Sequence, residues 1–141
     1  MRRDLGDGYA LDDDPARIDR AAVHRHLSEE AYWAKGRSRD VQDALIESAA
    51  RVVGLYHRDE QVGFSRAISD GQVQSYLADV YVLPGHRGSG LGIELVRFSV
   101  DEGPLAYTNW LLHTADAHDL YRKFGFEDPG PRTLERGRRG A

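Results

Sequence analysis

The sequence predicts an α+β fold, and three observations indicate this class. Two amphipathic segments before residue 50, "DDDPARIDRAAVHRHLS" and "RDVQDALIESA", have the spacing of helices. Three runs rich in β-branched and aromatic residues follow, "RVVGLYH", "QVGFSRAIS" and "SYLADVYVL", separated by polar turns. After residue 90, helical and strand-like segments alternate. This order predicts a mixed central sheet with about four flanking helices.

Length and composition limit the number of domains, the partners and the chemistry that we expect of this protein. The 141 residues, 40% of them hydrophobic and 30% charged, predict a single domain over 1–141 with a basic tail at about 131–141. The net charge of −4 argues against a nucleic-acid partner, because phosphate neutralisation needs a basic face. No segment approaches the roughly 20 apolar residues of a membrane span, so we expect no membrane partner and a cytoplasmic location. The chain has no cysteine, which excludes thiolate catalysis and disulfides.

Local signals place the helices. Asp14 is a candidate cap for the first helix, with Pro15 at its first position, and Ser38 can cap the second. Between them "AYWAKGRS" lacks a clear period and is interpreted as a loop or a broken helix. Gly103 and the proline after it end the helix that begins near residue 91.

The last third of the chain predicts three short elements. "NWLLHTA" reads as a buried strand, and "DAHDLYRKFGF" as a short helix that Asp116 caps and Gly125 closes. The tail has room for one more short strand.

The stretch "HRGSGLG", residues 86–92, lies where an apolar strand passes into an amphipathic helix. A glycine-rich turn at a helix start offers unpaired backbone N–H groups and the positive end of the helix dipole, which together suit a phosphate. No Lys-Ser or Lys-Thr follows, which excludes a P-loop, and the spacing G-x-G-x-G differs from the dinucleotide fingerprint. A tight turn without a ligand is the alternative.

The pattern R-x-x-G-x-G after "VYVLP" resembles the pyrophosphate-binding motif of the GNAT superfamily of N-acetyltransferases. "AHDLYRKFGFE" is similar to the family's late segment, and the order of elements matches over most of the chain. The resemblance implies the GNAT fold, with a V-shaped opening between strands 4 and 5, here "YLADVYV" and "NWLLHTA". It implies acetyl-CoA as cosubstrate and transfer of its acetyl group, by direct attack, to a primary amine of a small molecule or peptide.

The resemblance also assigns residues. Cofactor binding falls to Val80, Tyr81, Val82, Arg87, Gly88, Ser89, Gly90, Leu91, Gly92 and Ile93. Tyr121 matches the usual general acid, with helix packing as the alternative role. Asp79 is the candidate general base, since strand alternation sends it to the face opposite its neighbour Val80; an ion pair with an arginine or the cap of a neighbouring turn is the alternative. His113 could reach the same opening or be a hydrogen-bonded core residue.

The resemblance also implies that the early helices and their connecting loop form much of the acceptor pocket. Tyr32 and Trp33 could form an aromatic wall for a cationic amine, while Lys35 and Arg37 would suit an acidic group on the acceptor. A core role for Trp33 is the alternative. No metal is expected, because His24 and His26 lie two residues apart and point away from each other on a helix.

Two interpretations of function follow. The first is an acetyl-CoA-dependent N-acetyltransferase; the second is a noncatalytic acyl-CoA-binding sensor or assembly module with the same fold. The sequence leaves open which amine accepts the acetyl group, whether other acyl groups are used, and whether the chain forms the homodimer that is common in the family.

Overall fold

A computed structural model describes residues 1–139, and one mixed sheet forms its centre. The six strands lie in chain order across the sheet. They are β1 (Arg2–Gly6), β2 (Tyr9–Asp12), β3 (Arg51–His57), β4 (Glu60–Ser69), β5 (Gln74–Val82) and β6 (Asn109–Leu111). The helices are α1 (Arg20–Glu30), α2 (Arg39–Ser48), α3 (Leu91–Val100) and α4 (His118–Arg122). The predicted α+β class, mixed sheet and number of helices are confirmed.

The first two strands form a hairpin that the sequence interpretation missed. Asp7 and Gly8 both have positive φ, 53° and 84°, as a two-residue hairpin turn requires. Strand β2 then pairs antiparallel with β3, so the hairpin extends the sheet at one edge. The Asp-Gly pair was a usable turn signal. Because of the hairpin, the strands named fourth and fifth in the family are β5 and β6 here.

The predicted helix caps hold in part. Ser38 caps α2 by accepting a hydrogen bond from the Val41 amide at 3.2 Å. Asp14 starts only a single 3₁₀ turn, Pro15–Arg17, and α1 begins later, with the Asp19 side chain as its cap. The first helix is therefore shorter than predicted.

Helices cover both faces of the sheet. On one face, α1 and α2 pack through Val23, Leu27 and Ile46 against Phe64 and Tyr81. On the other face, α3 packs on the sheet and α4 lies beside it; the buried residues there include Val82, Leu95, Val96, Phe98 and Tyr121. The sheet thus separates two apolar layers, and only a gap between strands can connect them.

Such a gap opens between β5 and β6. The two strands pair in parallel at Gln74, Ser75 and Tyr76 alone, opposite Asn109–Leu111. Beyond Tyr76 the described chain has no strand on this side of β5, because β6 ends at Leu111; residues 112–117 continue on the far side of the gap. Strand β6 is only three residues long and largely exposed, which corrects the prediction of a longer buried strand over "NWLLHTA".

The end of the chain also differs from expectation. Asp116 does not cap α4, which has Ala117 at its cap position. The Thr114 hydroxyl accepts hydrogen bonds from the backbone amides of Asp116 and Ala117 instead. Residues 130–139 contain no strand, and residues 140–141 of the predicted tail lie outside the described residues. Within 1–139, no helix has the length and apolar character needed to cross a membrane.

Candidate active site

A pocket of 560 Å³ occupies the gap between β5 and residues 112–117, which follow β6. We call it the passage. On the α1/α2 face the passage is lined by Trp33, Arg37 and Asp79, and on the α3/α4 face by Val80 and Tyr121. The gap in the sheet thus joins the two faces, so a ligand entering from one side can meet a ligand entering from the other.

A larger cavity of 700 Å³ lies between β6, α4 and residues 127–135. It shares Leu112, His113, Thr114 and Tyr121 with the passage but contains none of Asp79, Tyr32 and Trp33. Since the predicted catalytic and acceptor residues line the smaller pocket, we take the passage as the candidate active site.

The glycine loop, residues 87–92, leads into α3. Gly90 caps the helix in the left-handed conformation, with φ of 81° and ψ of 6°, which glycine adopts at little cost. Within the part of the chain that the structure describes, none of the six backbone N–H groups of residues 88–93 donates a hydrogen bond. The loop therefore offers unsatisfied donors and the positive end of the α3 dipole.

The space beside Gly92 shows that the loop has room for a phosphate. It lies in the first turn of α3 with an ordinary backbone conformation, and a Cβ built there would meet no atom within 4 Å. Neither backbone strain nor internal packing requires glycine at this position, while glycine in a helix costs about 1 kcal/mol relative to alanine. The open surface beside the free amides fits the diphosphate of coenzyme A, with the helix dipole adding favourable charge.

The predicted cofactor segment of β5 has a free edge. Tyr81 and Val82 pair with β4, opposite Phe64 and Gly63, whereas no described strand pairs with residues 77–82 on the other side. The Arg87 side chain reaches back to this strand and donates from Nε to the Val82 carbonyl at 2.7 Å. That bond fixes the glycine loop to the end of β5.

Tyr121 lies at the α4 side of the passage. Its side chain is buried, and burial, more than the nearby Asp116 carboxylate, raises the pKa of the phenol to about 12. No hydrogen bond occupies its hydroxyl among residues 1–139. Tyr121 is thus a protonated O–H donor beside the gap, although it also packs edge-on against Phe126, as the alternative role expected.

Asp79 lies at a bulge in β5. Arg66 pairs with Ala78 and Phe64 with Tyr81, so two residues of β5 oppose one residue of β4. Asp79 has a φ of 56°, a conformation that aspartate tolerates better than most residues. The bulge turns its carboxylate onto the α1/α2 face.

Three donors hold the Asp79 carboxylate. One oxygen accepts from Trp33 Nε1 at 3.0 Å, and the other accepts from Arg37 Nη1 at 2.9 Å and Arg66 Nε at 3.0 Å. The carboxylate is nearly inaccessible to solvent. This arrangement corresponds to the ion pair that the sequence interpretation gave as the alternative to a general base.

The predicted acceptor residues also line the passage. Tyr32 and Trp33 meet edge to face, with ring centroids 5.0 Å apart, and both remain about half exposed. The Tyr32 hydroxyl accepts a hydrogen bond from the Ala115 amide at 2.9 Å, which joins the early loop to the wall beyond β6. Trp33 is therefore no core residue. Lys35 is exposed and outside the passage, whereas Arg37 lines it.

Sequence reasoning missed two neighbours of the passage, Arg66 and Tyr76. The Tyr76 hydroxyl bonds His113 Nδ1 at 2.6 Å, and His113 Nε2 lies 2.7 Å from a Glu135 oxygen. His113 is thus partly exposed at the rim rather than a core residue. The charge of Arg66 within the run "QVGFSRAIS" was the available signal for that residue, whereas nothing in the run around Tyr76 marked it.

The two early histidines have separate environments. His24 Nε2 bonds the Arg37 carbonyl at 2.9 Å, and His26 stacks on Tyr81, where burial lowers its pKa. Over residues 1–139, no group of three or more His, Asp or Glu side chains is arranged to hold a metal ion.

A family model described as an acetyltransferase (GNAT) domain matches residues 48–128, more than half of the chain. The matched region includes the glycine loop, both strands of the gap and Tyr121. The chain belongs to the GNAT acetyltransferase family. This GNAT membership confirms the resemblance inferred from the glycine loop and the Tyr121 segment.

Known proteins agree with the GNAT assignment. A predicted acetyltransferase of Gibberella zeae is 29% identical over 143 residues, which cover 85% of this chain and 80% of the relative. The crystal structure of a predicted GNAT acetyltransferase from Xanthomonas campestris pv. campestris is 32% identical, covers 92% of each chain and superposes with a TM-score of 0.84. A predicted acetyltransferase from Clostridium acetobutylicum, crystallised with acetyl-CoA, shares the GNAT fold at 16% identity, with 97% and 96% of the two chains covered and a TM-score of 0.66.

Proposed function

We propose that this GNAT protein transfers the acetyl group of acetyl-CoA to a primary amine that enters the passage from the α1/α2 face. The glycine loop carries the proposal. Six backbone amides without acceptors and the open surface over Gly92 form a site for a diphosphate, the group that coenzyme A would bring there.

The free edge of β5 supports the same ligand. The backbone at Val80, Tyr81 and Val82 borders the gap, where an extended pantetheine arm could pair with it as a further strand would. Residues 87–93 would hold the diphosphate. The C. acetobutylicum structure with acetyl-CoA supports this choice of cosubstrate, since the two proteins share a fold. When bound, acetyl-CoA supplies an activated thioester.

Tyr121 is proposed as the general acid. With a pKa near 12 its phenol keeps a proton at neutral pH, and its unoccupied hydroxyl borders the gap. A thiolate leaving group needs a proton, and a positioned O–H donor can supply it. A free thiol has a pKa of about 8.5, so the thiolate is already a fair leaving group and the help from Tyr121 is moderate.

The general base stays a prediction at Asp79. A carboxylate that binds two guanidinium groups and an indole is poorly disposed to accept a proton from an amine, because protonation would leave both arginines without a counter-ion. Its hydrogen bonds support a second role, in which Asp79 positions Arg37 and Arg66. The Asp79→Asn variant separates the two roles. If Asp79 is the general base, the variant should lose the pH dependence that this group gives to kcat. If Asp79 positions Arg37 and Arg66, the variant should instead change KM.

The test combines binding and turnover. Acetyl-CoA at a hundredfold excess over its Kd should stabilise the fold by about 2.7 kcal/mol, which a thermal shift detects. Thiol release over a panel of amines should then reveal turnover. Tyr121→Phe should lower kcat roughly 10- to 100-fold while the thermal shift stays unchanged. Tyr107→Phe, at a fully exposed position outside the passage, is the matched control.

Two results would contradict the proposal. No thermal shift with millimolar acetyl-CoA would exclude the cosubstrate. A thermal shift without thiol release from any amine would instead favour the noncatalytic acyl-CoA-binding module.

A further inference from the structure

Arg66 has hydrogen-bond donors that the fold does not use. It lies on β4, is 6% exposed and lines the passage. Only its Nε donates a hydrogen bond, to Asp79 at 3.0 Å. Among residues 1–139 its two terminal nitrogens have no acceptor, and neither is sealed from solvent. A buried guanidinium is costly to desolvate, so four N–H groups open to a pocket indicate a ligand.

The charges around Arg66 favour an anion. Arg37, with a side chain 17% exposed, shares the single Asp79 carboxylate with Arg66 and also donates to Gln42. Two guanidinium groups and one carboxylate leave one net positive charge at this end of the passage. The other acidic residue in the lining, Asp116, lies beyond β6 on the opposite wall.

The opposite wall suits the amine. Asp116 is close enough to Tyr121 to raise its pKa, so a cationic ammonium near the general acid would find a carboxylate there. The passage therefore has a positive end at Arg66 and a negative group near Tyr121. The hydrogen bond from Ala115 to Tyr32 joins the two walls, which favours a small molecule over a long chain.

Resting on the acetyl transfer proposed above, we propose that the acceptor is a small amino acid-like molecule whose carboxylate binds the terminal nitrogens of Arg66. The parallel N–H groups of a guanidinium match the two oxygens of a carboxylate, and this pairing gives both strength and orientation. Holding the carboxylate at Arg66 directs the amine toward the gap and Tyr121. Asp79 fixes the orientation of Arg66 through its Nε.

The experiment compares matched acceptors on the intact protein. The twenty amino acids are each paired with the corresponding amide or decarboxylated amine, and kcat/KM is measured by thiol release. At least one amino acid should exceed its partner without a carboxylate by roughly 10- to 100-fold in kcat/KM, the range of a charged hydrogen-bonded pair. Arg66→Gln should abolish that preference, and Arg66→Lys should retain part of it. Arg39→Gln, which removes an exposed arginine of α2 outside the passage, should leave the preference unchanged.

A second readout does not depend on turnover. Calorimetry with coenzyme A, which has no acetyl group to transfer, should detect binding of the preferred amino acid to the wild-type protein, and Arg66→Gln should weaken that binding by a similar factor. Equal kcat/KM for each matched pair in the wild type would overturn the inference while leaving acetyl transfer intact. A preference that survives Arg66→Gln, or no amino acid binding by calorimetry, would overturn it too. Loss of the acetyl-CoA thermal shift would instead count against the proposed function.

Discussion

Two buried arginines on neighbouring strands differ in how the protein uses their hydrogen-bond donors. Arg51 on β3 is 7% exposed, and Arg66 on β4 is 6% exposed. Arg51 binds Asp13 through Nε, and its Nη1 lies near three carbonyl oxygens at the end of α3, those of Phe98, Ser99 and Glu102 at 2.7, 3.1 and 2.8 Å. Arg66 binds only one carboxylate and leaves both terminal nitrogens open to the passage.

Whether the donors of a buried arginine are used within the protein distinguishes an arginine that stabilises the fold from one that we propose binds a ligand. Arg51 satisfies carbonyl groups that a helix end leaves without partners, and its charge opposes the helix dipole favourably. Arg66 satisfies nothing comparable. The same contrast occurs between Gly63, where a Cβ would lie only 2.9 Å from the Tyr81 carbonyl oxygen, and Gly92, where a Cβ would meet no atom within 4 Å.

The largest expected effect comes from removing the two arginines in turn. Arg51→Met leaves three carbonyl groups at the end of α3 without their donor and the Asp13 carboxylate with the amino terminus as its remaining partner, which should cost roughly 3–5 kcal/mol of unfolding free energy. Arg66→Met leaves Asp79 still bound to Arg37 and Trp33, so the loss should be about 1–2 kcal/mol. Urea unfolding of both variants measures the difference, and equal losses would contradict the contrast.

The two glycines should respond in opposite directions. Gly63→Ala forces a methyl group against the Tyr81 carbonyl and Leu55 Cβ, at 2.9 and 3.0 Å, and should destabilise by roughly 1–3 kcal/mol. Gly92→Ala should stabilise the free protein by about 0.5–1 kcal/mol, because alanine is the better helix residue. It should nevertheless reduce the thermal shift with acetyl-CoA. An undiminished shift would mean that the ligand does not approach this position.

The smallest expected effect concerns pH and Tyr121. A general acid must carry its proton, and a pKa raised by burial to about 12 keeps that proton in place as the pH rises through 10. The ratio of wild-type kcat to Tyr121→Phe kcat should therefore stay constant from about pH 7 to 10, since titration of the acceptor amine affects both proteins alike. A ratio that halves near pH 10 would indicate an ordinary phenol, with a pKa of about 10, as the acid.

Most of the fold could be predicted because its signals are local. The β-branched runs of β3, β4 and β5 and the Ser38 cap each depend on a few consecutive residues. The glycine loop was recognisable for the same reason. The hairpin at Asp7 and Gly8 was missed although its turn signal was present, and the short β6 was overestimated because an apolar run does not reveal where strand pairing stops.

The candidate site was less predictable because its polar cluster is assembled over long sequence distances. Arg37 and Arg66 reach Asp79 from 42 and 13 positions away, and the bulge in β5 turns the carboxylate toward them. No short sequence pattern predicts the contacts of Arg37 and Arg66 with Asp79. Tyr32 and Trp33 were predicted to form an aromatic wall of the acceptor pocket because the family resemblance assigns the early loop to that pocket, and both residues line the passage.

The amino-terminal hairpin also touches the approach to the glycine loop. The Tyr9 hydroxyl bonds His86 Nδ1 at 2.7 Å, and His86 immediately precedes the loop. A fragment trimmed to residues 48–128, the part that the family model matches, would lose this hydrogen bond and also β2, the strand that pairs with β3. Expression work that seeks a shorter fragment should therefore keep the first dozen residues, which pair with β3 and hold His86 next to the glycine loop.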